Sequence, residues 1–210
     1  MKNNTNKKFK IFIFDLDGVL VDSKKNMQYS WQAVNNKFNV KIDFKEYFNL
    51  IGRPFEDILD ILKIRKGLFL KIKLQYNQSS IEKIHLIKFY PFTLSIIKKL
   101  KKSNCKIIIV TSKQLKRTKI ILKEYLYLFD LIVCPKKNLK GKPSPDQLNY
   151  AIKKLQLKKN ECVYIGDTEV DYYAAKFAKI NFLFAEWGYG PTPKEKYLSI
   201  SNIKNLFDFV

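Results

Sequence analysis

One histidine and three cysteines in 210 residues leave little room for soft-metal or thiol chemistry. Cys105, Cys134 and Cys162 match no C-x-x-C spacing, and the last two lie in apolar runs, as inert buried thiols do. His85 alone excludes a histidine-rich zinc centre and argues against a His-based triad. No apolar run approaches the roughly 20 residues of a membrane span, so no membrane partner is expected. The N-terminal MKNNTNKKFK is polar and lacks a signal-peptide core, which points to a cytoplasmic protein. Acidic residues are also scarce, 19 against 40 Lys and Arg, for a formal net charge of +21. Such a balance can mark a polyanion binder. The lysine pairs 98/99, 101/102, 136/137 and 158/159 are scattered, however, without the interleaved aromatics of a nucleic-acid site. The charge reads as a compositional bias, with no specific nucleic acid expected as partner.

What is present is a globular composition, 46% apolar and 14% aromatic, in a length that fits one large domain or a core with an inserted module. Five short runs are apolar on both faces: KIFIFDL, KIIIVT, DLIVC, CVYIG and NFLFA. Strands covered by helices on both sides of a parallel sheet read this way. Helical patterns separate the last four runs. Thr93 to Lys102 precedes a left-handed cap at Asn104, and a second helix spans Gln114 to Leu128. A third opens at S-P-D-Q, with Ser144 as N-cap and Gln147 closing a capping box. The alternation predicts an α/β fold, a doubly wound, Rossmann-like parallel sheet of about five strands. Between the first and second runs the rhythm breaks. WQAVNNKF, FEDILDILKI and IEKIHLIKFY read as helices, so residues 23–88 are expected to be a helical cap. Residues 1–22 and 89–210 then form the core domain.

In open α/β sheets ligands bind at the carboxyl ends of the strands. Asp15 and Asp17 follow the first run, and Thr111 and Ser112 follow the second, where they are expected to open a helix. Lys142 lies beyond the third, and Asp167 and Asp171 follow the fourth. Asp15 and Asp17, two apart in extended backbone, point the same way and repel unless a cation lies between them. Asp167 and Asp171 are one turn apart on a helix start. Several carboxylates with one lysine make a hard, oxygen-lined site suited to Mg²⁺, and a helix N-terminus at Thr111–Ser112 offers N–H groups to a phosphate. The set is one for moving a phosphoryl group.

DLDGVLVDS, IVTS, GKPSP and GDTEVD resemble, in order and spacing, the four motifs of the haloacid dehalogenase-superfamily phosphatases. The resemblance runs from about Lys10 to Pro191, and WGYGP is similar to a loop of phosphoglycolate phosphatase-like members. It implies that Asp15 is the nucleophile of an aspartyl-phosphate route and Asp17 the acid and base, its carbonyl facing Mg²⁺. Thr111 and the N–H of Ser112 would hold the phosphoryl oxygens, and Lys142 would neutralise them. Asp167 would bind the metal, and Asp171 would bind or orient it. An acid at Asp17 favours hydrolysis of a phosphate ester or phosphoryl transfer to a sugar. A sugar phosphomutase of the same family is the alternative, with Arg53 the one candidate for gripping a second phosphate. The substrate would be a small phosphorylated metabolite, and the chain a monomer or homodimer. Asp22 and Ser23 read as caps of the first inserted helix, and Trp187 and Tyr189 as loop anchors. Two other classes share part of the pattern. A signalling receiver domain pairs acids with Thr and Lys but carries its accepting Asp after a later strand, and a polyanion binder would keep only a degenerate site.

Overall fold

The computed structural model describes residues 8–190 and 192–210. The first seven residues of the polar N-terminal stretch, and Pro191 at the end of WGYGP, lie outside the described residues. The chain opens with β1 (Ile11–Phe14), buried along its whole length. A tight turn leads to β2 (Val21–Asp22) and then to four helices, α1 (Lys24–Phe38), α2 (Phe44–Phe48), α3 (Phe55–Ile61) and α4 (Phe69–Glu82). The chain returns through β3 (Lys88–Phe89) into a regular alternation: α5 (Thr93–Lys102), β4 (Lys106–Val110), α6 (Leu115–Leu122), β5 (Leu131–Val133) and α7 (Asp146–Lys154). It continues with β6 (Cys162–Gly166), α8 (Glu169–Ala178), β7 (Asn181–Ala185) and β8 (Leu198–Ile200).

The fold is α/β, with a parallel sheet in the order β5-β4-β1-β6-β7-β8. Alternate residues of each central strand enter different cores. Phe12, Phe14, Ile107, Ile109, Val163 and Ile165 face Ile97 and Leu100 of α5, together with Leu206. Ile11, Ile13, Ile108, Val110 and Tyr164 face Leu148 and Ala151 of α7 and the small residues Ala174, Ala175 and Ala178 of α8. Burial on both sides explains why these strands are continuously apolar. It also pins register, because a one-residue slip would exchange the two cores. The strand order reverses around β1, so the crevice at its carboxyl end lies between the turns after β4 and β6.

The helices between β2 and β3 have a separate hydrophobic cluster. Trp31 is stacked on Tyr47 with centroids 4.3 Å apart, and Ile58, Leu59, Ile72 and Tyr76 complete the packing. Fully burying each such side chain contributes about 1.5–3 kcal/mol. Both connections to the sheet run side by side, since β2 and β3 pair antiparallel, Val21 with Phe89 and Asp22 with Lys88.

The structure corrects several expectations. The sheet has six strands, not about five. β8 is a three-residue edge strand with the pattern partly buried, exposed, buried, and it lacks the two-faced apolar signal. IEKIHLIKFY is not one helix: α4 ends at Glu82, a 3₁₀ turn covers Ile84–Leu86, and β3 follows. The helix expected from Gln114 to Leu128 is α-helical only to Leu122, beyond which Lys123 adopts φ +38° and the chain tightens to 3₁₀. The Ser144–Gln147 capping box is absent. Ser144 bonds the Asp146 carboxylate instead, and buried Gln147 donates to the Thr111 carbonyl at 3.3 Å.

Candidate active site

β1 delivers Asp15 into the crevice, where its N–H is tied to the Ile165 carbonyl at 2.9 Å. The chain must then reverse beneath β6. Gly18 does this at φ +82°, and a Cβ there would overlap the Asp167 carboxylate. Only a residue without a side chain meets both demands.

Lys142 is the hub of the cluster. Its side chain is 1% exposed, and its ammonium lies 2.6 Å from Asp171 Oδ1 and 3.0 Å from Asp15 Oδ1. It also donates to the Tyr164 hydroxyl, which in turn donates to Asp171. The other Asp171 oxygen accepts the N–H and hydroxyl of Thr168. This capping box opens α8 and orients the carboxylate. Asp167 was expected on that helix but lies just before it, on the turn leaving β6. One of its oxygens accepts the Tyr189 N–H at 2.8 Å.

Asp15, Asp167 and Asp171 are all buried and each offers an oxygen within 4.8 Å of the others. Three carboxylates face one ammonium. Burial raises Asp15 to about 7 against the pull of Lys142, with Asp171 and Asp17 adding to the rise. Burial and the charges of Asp171 and Asp15 push Asp167 well above the usual carboxylate range. Burial acts to lower Lys142, but its two aspartates outweigh it and hold it above the ordinary lysine value. Asp15 Oδ1 has only the Lys142 ammonium beside it, at 3.0 Å, and Asp167 Oδ1 has no hydrogen-bond partner among the described residues. Buried carboxylate oxygens in such an excess of negative charge suit a hard divalent cation.

Asp17 points elsewhere. Its Oδ1 accepts from Ser23 Oγ at 2.5 Å and pairs with Lys113 Nζ at 3.1 Å. Ser23 was expected to cap α1, yet its hydroxyl serves Asp17. Thr111 is buried at the end of β4 and accepts the Lys113 N–H. Ser112 reaches the other way, donating to the Gly52 carbonyl at 2.7 Å. Both sit in the loop before α6, which begins at Leu115 and not at Thr111 as expected. Arg53 faces the same cavity but pairs with Glu169 at 3.1 Å. Trp187 donates to the Val19 carbonyl, and the Tyr189 hydroxyl bridges Asp22 and the Ser23 N–H, so both anchor the turn above β1.

Sequence reasoning passed over Lys113, Arg117, Tyr164 and Thr168. Lys113 stands next to the Thr111–Ser112 pair, a signal that was there to find. Tyr164 was read only as a strand residue. The cavity lined by Lys113, Arg117 and Thr168 measures about 680 Å³ and extends from Asp15 and Asp167 to Tyr47, Tyr76 and Asn77 of the helices between β2 and β3.

Residues 12–185 match the family model of the haloacid dehalogenase-like hydrolases. The chain is 28% identical over 190 residues to the phosphoglycolate phosphatase of Aquifex aeolicus, covering 86% of each. It is 24% identical over 186 residues to the pyrophosphatase PpaX of Bacillus mycoides, covering 86% of this chain and 85% of that one. The crystal structure of a hydrolase from Pseudomonas syringae superposes with a TM-score of 0.83 at 25% identity, over 95% of this chain and 98% of that one. The chain belongs to the haloacid dehalogenase-like hydrolases and is a phosphatase of that family.

Proposed function

We propose that the enzyme is a Mg²⁺-dependent phosphatase that hydrolyses a small phosphorylated metabolite through an aspartyl-phosphate on Asp15. The observation that carries this reading is the cluster of three buried carboxylates, Asp15, Asp167 and Asp171, around a single lysine. Asp15, Asp167 and the Asp17 carbonyl would hold the metal. Asp171, whose oxygens are taken by Lys142, Tyr164 and Thr168, would orient it. Bound there, Mg²⁺ would supply the positive charge that lets a carboxylate approach a phosphate of the same sign.

The chain's own groups then divide the work. Asp15 attacks phosphorus, and the ester P–O bond breaks as the acyl-phosphate bond forms. Asp17 gives its proton to the departing oxygen and takes one from the water that releases phosphate. Thr111 Oγ and the Ser112 N–H hold the phosphoryl oxygens. Lys142 balances Asp15 and the transferring group. At about 4 Å two unit charges in an effective dielectric near 20 repel by roughly 4 kcal/mol, a barrier this lysine helps to remove. The helices between β2 and β3 act as a cap over the site. Arg53, paired with Glu169, does not stand free to grip a second phosphate, which favours a phosphatase over a mutase.

The test is phosphate release from a panel of phosphometabolites with Mg²⁺, comparing wild type with Asp15→Asn and with EDTA-treated enzyme. Asp15→Asn is expected to lose at least about 1,000-fold in kcat/KM. Turnover that survives the substitution or the chelator would overturn the reading.

A further inference from the structure

We propose that Lys113 and Arg117 form a second oxyanion subsite, which receives the distal anionic group of a substrate whose phosphoryl end lies at Asp15. The inference rests on the phosphatase reading and narrows the substrate to a short phosphate ester or anhydride bearing a second negative group.

Both cations are buried and both line the cavity that holds Asp15, Thr111 and Ser112. The Lys113 side chain is 2% exposed, and Arg117 is 6% exposed. Their surroundings do not balance them. Lys113 pairs with Asp17, but Arg117 has only a neutral partner, donating from Nη1 to Asn77 Oδ1 at 3.2 Å. The Tyr76 ring lies 5.3 Å from the guanidinium carbon. Arg117 Nε is buried with no hydrogen-bond partner among the described residues. Two positive charges thus meet one carboxylate, and one more negative group would restore neutrality. A buried guanidinium with an idle donor is costly unless something completes it. Its planar fork suits a carboxylate or phosphate, which can take two of its N–H groups at once.

Geometry sets the size of the ligand. Lys113 follows Thr111 by two residues, which places it within roughly 7 Å along the backbone. Arg117 lies four residues beyond Lys113, in the first turn of α6. The distal group must therefore sit only a few bonds from phosphorus. Asn77 and Tyr76 belong to α4, so the ligand's far end would touch both the inserted helix and the core.

The experiment compares phosphoglycolate, with a distal carboxylate, pyrophosphate, with a distal phosphate, and ethyl phosphate, with neither. Wild type is expected to favour the first two. Arg117→Leu should lower their kcat/KM by about 10- to 100-fold, mainly through KM, and ethyl phosphate by a much smaller factor. Whichever of the two substrates with a distal anionic group suffers more identifies that group. Arg117→Lys should restore part of the preference. An equal loss for all three substrates, or no wild-type preference, would overturn the subsite. A second measurement needs neither turnover nor a variant. Phosphonoacetate should protect the protein against thermal unfolding at a concentration at least about tenfold below methylphosphonate. Equal protection would overturn the proposal even if Arg117→Leu failed to fold. If wild type released phosphate from no ester while phosphonoacetate still protected preferentially, the phosphatase reading would fail and the subsite would stand.

Discussion

Lys142 and Arg117 are both buried cations, yet they are held in opposite ways. Lys142 rises from the loop after β5 into two carboxylates and a tyrosine hydroxyl. Arg117, on α6, meets an amide oxygen and an aromatic ring. The first is completed by the protein itself, through Asp15 after β1, Tyr164 within β6 and Asp171 on α8. The second meets only neutral groups among the described residues. On the reading proposed above, the first cation would set the charge balance of the chemistry and the second would select what enters.

The most forceful way to break this contrast is to remove Lys142 itself. Lys142→Met keeps the bulk but strips Asp15 and Asp171 of the one ammonium they share. Such losses typically cost about 3–5 kcal/mol, since the remaining carboxylates are buried without that compensation. Asn77→Ala, which removes the neutral partner of Arg117, should cost less, about 1.5–3 kcal/mol. Urea unfolding of the two variants at one pH measures the difference. Equal destabilisation would mean that the two cations are held alike.

A metal should sharpen the same contrast, and its pH dependence has a defined sign. Asp15, raised to about 7 chiefly by burial, folds most readily when protonated. Its unfolded counterpart ionises near 3.8. Its contribution to stability is thus complete below that value and is lost as pH rises through about 7. Asp167 is shifted in the same direction, again by burial first. The metal-free protein should therefore lose stability across this window. Mg²⁺ held as proposed would bind the ionised oxygens, so the gain in Tm on adding it should grow from about pH 5.5 to about pH 8. At about 100 times Kd that gain corresponds to ~2.7 kcal/mol. A Tm increment independent of pH would separate the metal from these carboxylates.

The same division governs what could be read from the sequence. Asp15, Thr111 and Asp167 each follow a doubly buried apolar run, and the sheet alone brings them together. Lys142 comes with them through the loop beyond β5. Their positions were legible because strand ends are a local feature. Arg117 was not, because the periodicity of its helix marks only the apolar face, and the groups around it arrive from α4. That helix, FLKIKLQYNQSSIE, has its polar residues dispersed and gave no clear stripe. Gln147 shows the same limit in miniature. Its local spacing from Ser144 suggested a capping box, but the buried Thr111 carbonyl offered a better use for its amide.

The smallest expected effect tests the junction between the two regions. Gly52 adopts φ +89°, and a Cβ there would crowd Val170 and Thr168, so this turn lies against the start of α8. Ser112 bonds the Gly52 carbonyl, and Arg53 pairs with Glu169 one residue beyond Thr168. The Arg53–Glu169 pair has the same kind of partners as Lys142–Asp171, but its side chains are 25% and 30% exposed. Solvent screening should reduce it to about 0.2–1 kcal/mol. A double-mutant cycle with Arg53→Ala and Glu169→Ala isolates that coupling. Because the pair joins the inserted helices to the core, breaking it should raise KM by a few-fold, roughly the same energy expressed in binding, with kcat little changed. A coupling as large as that of the buried pair would mean that the inserted helices are held as firmly as the sheet, leaving them no role as a separately adjustable wall.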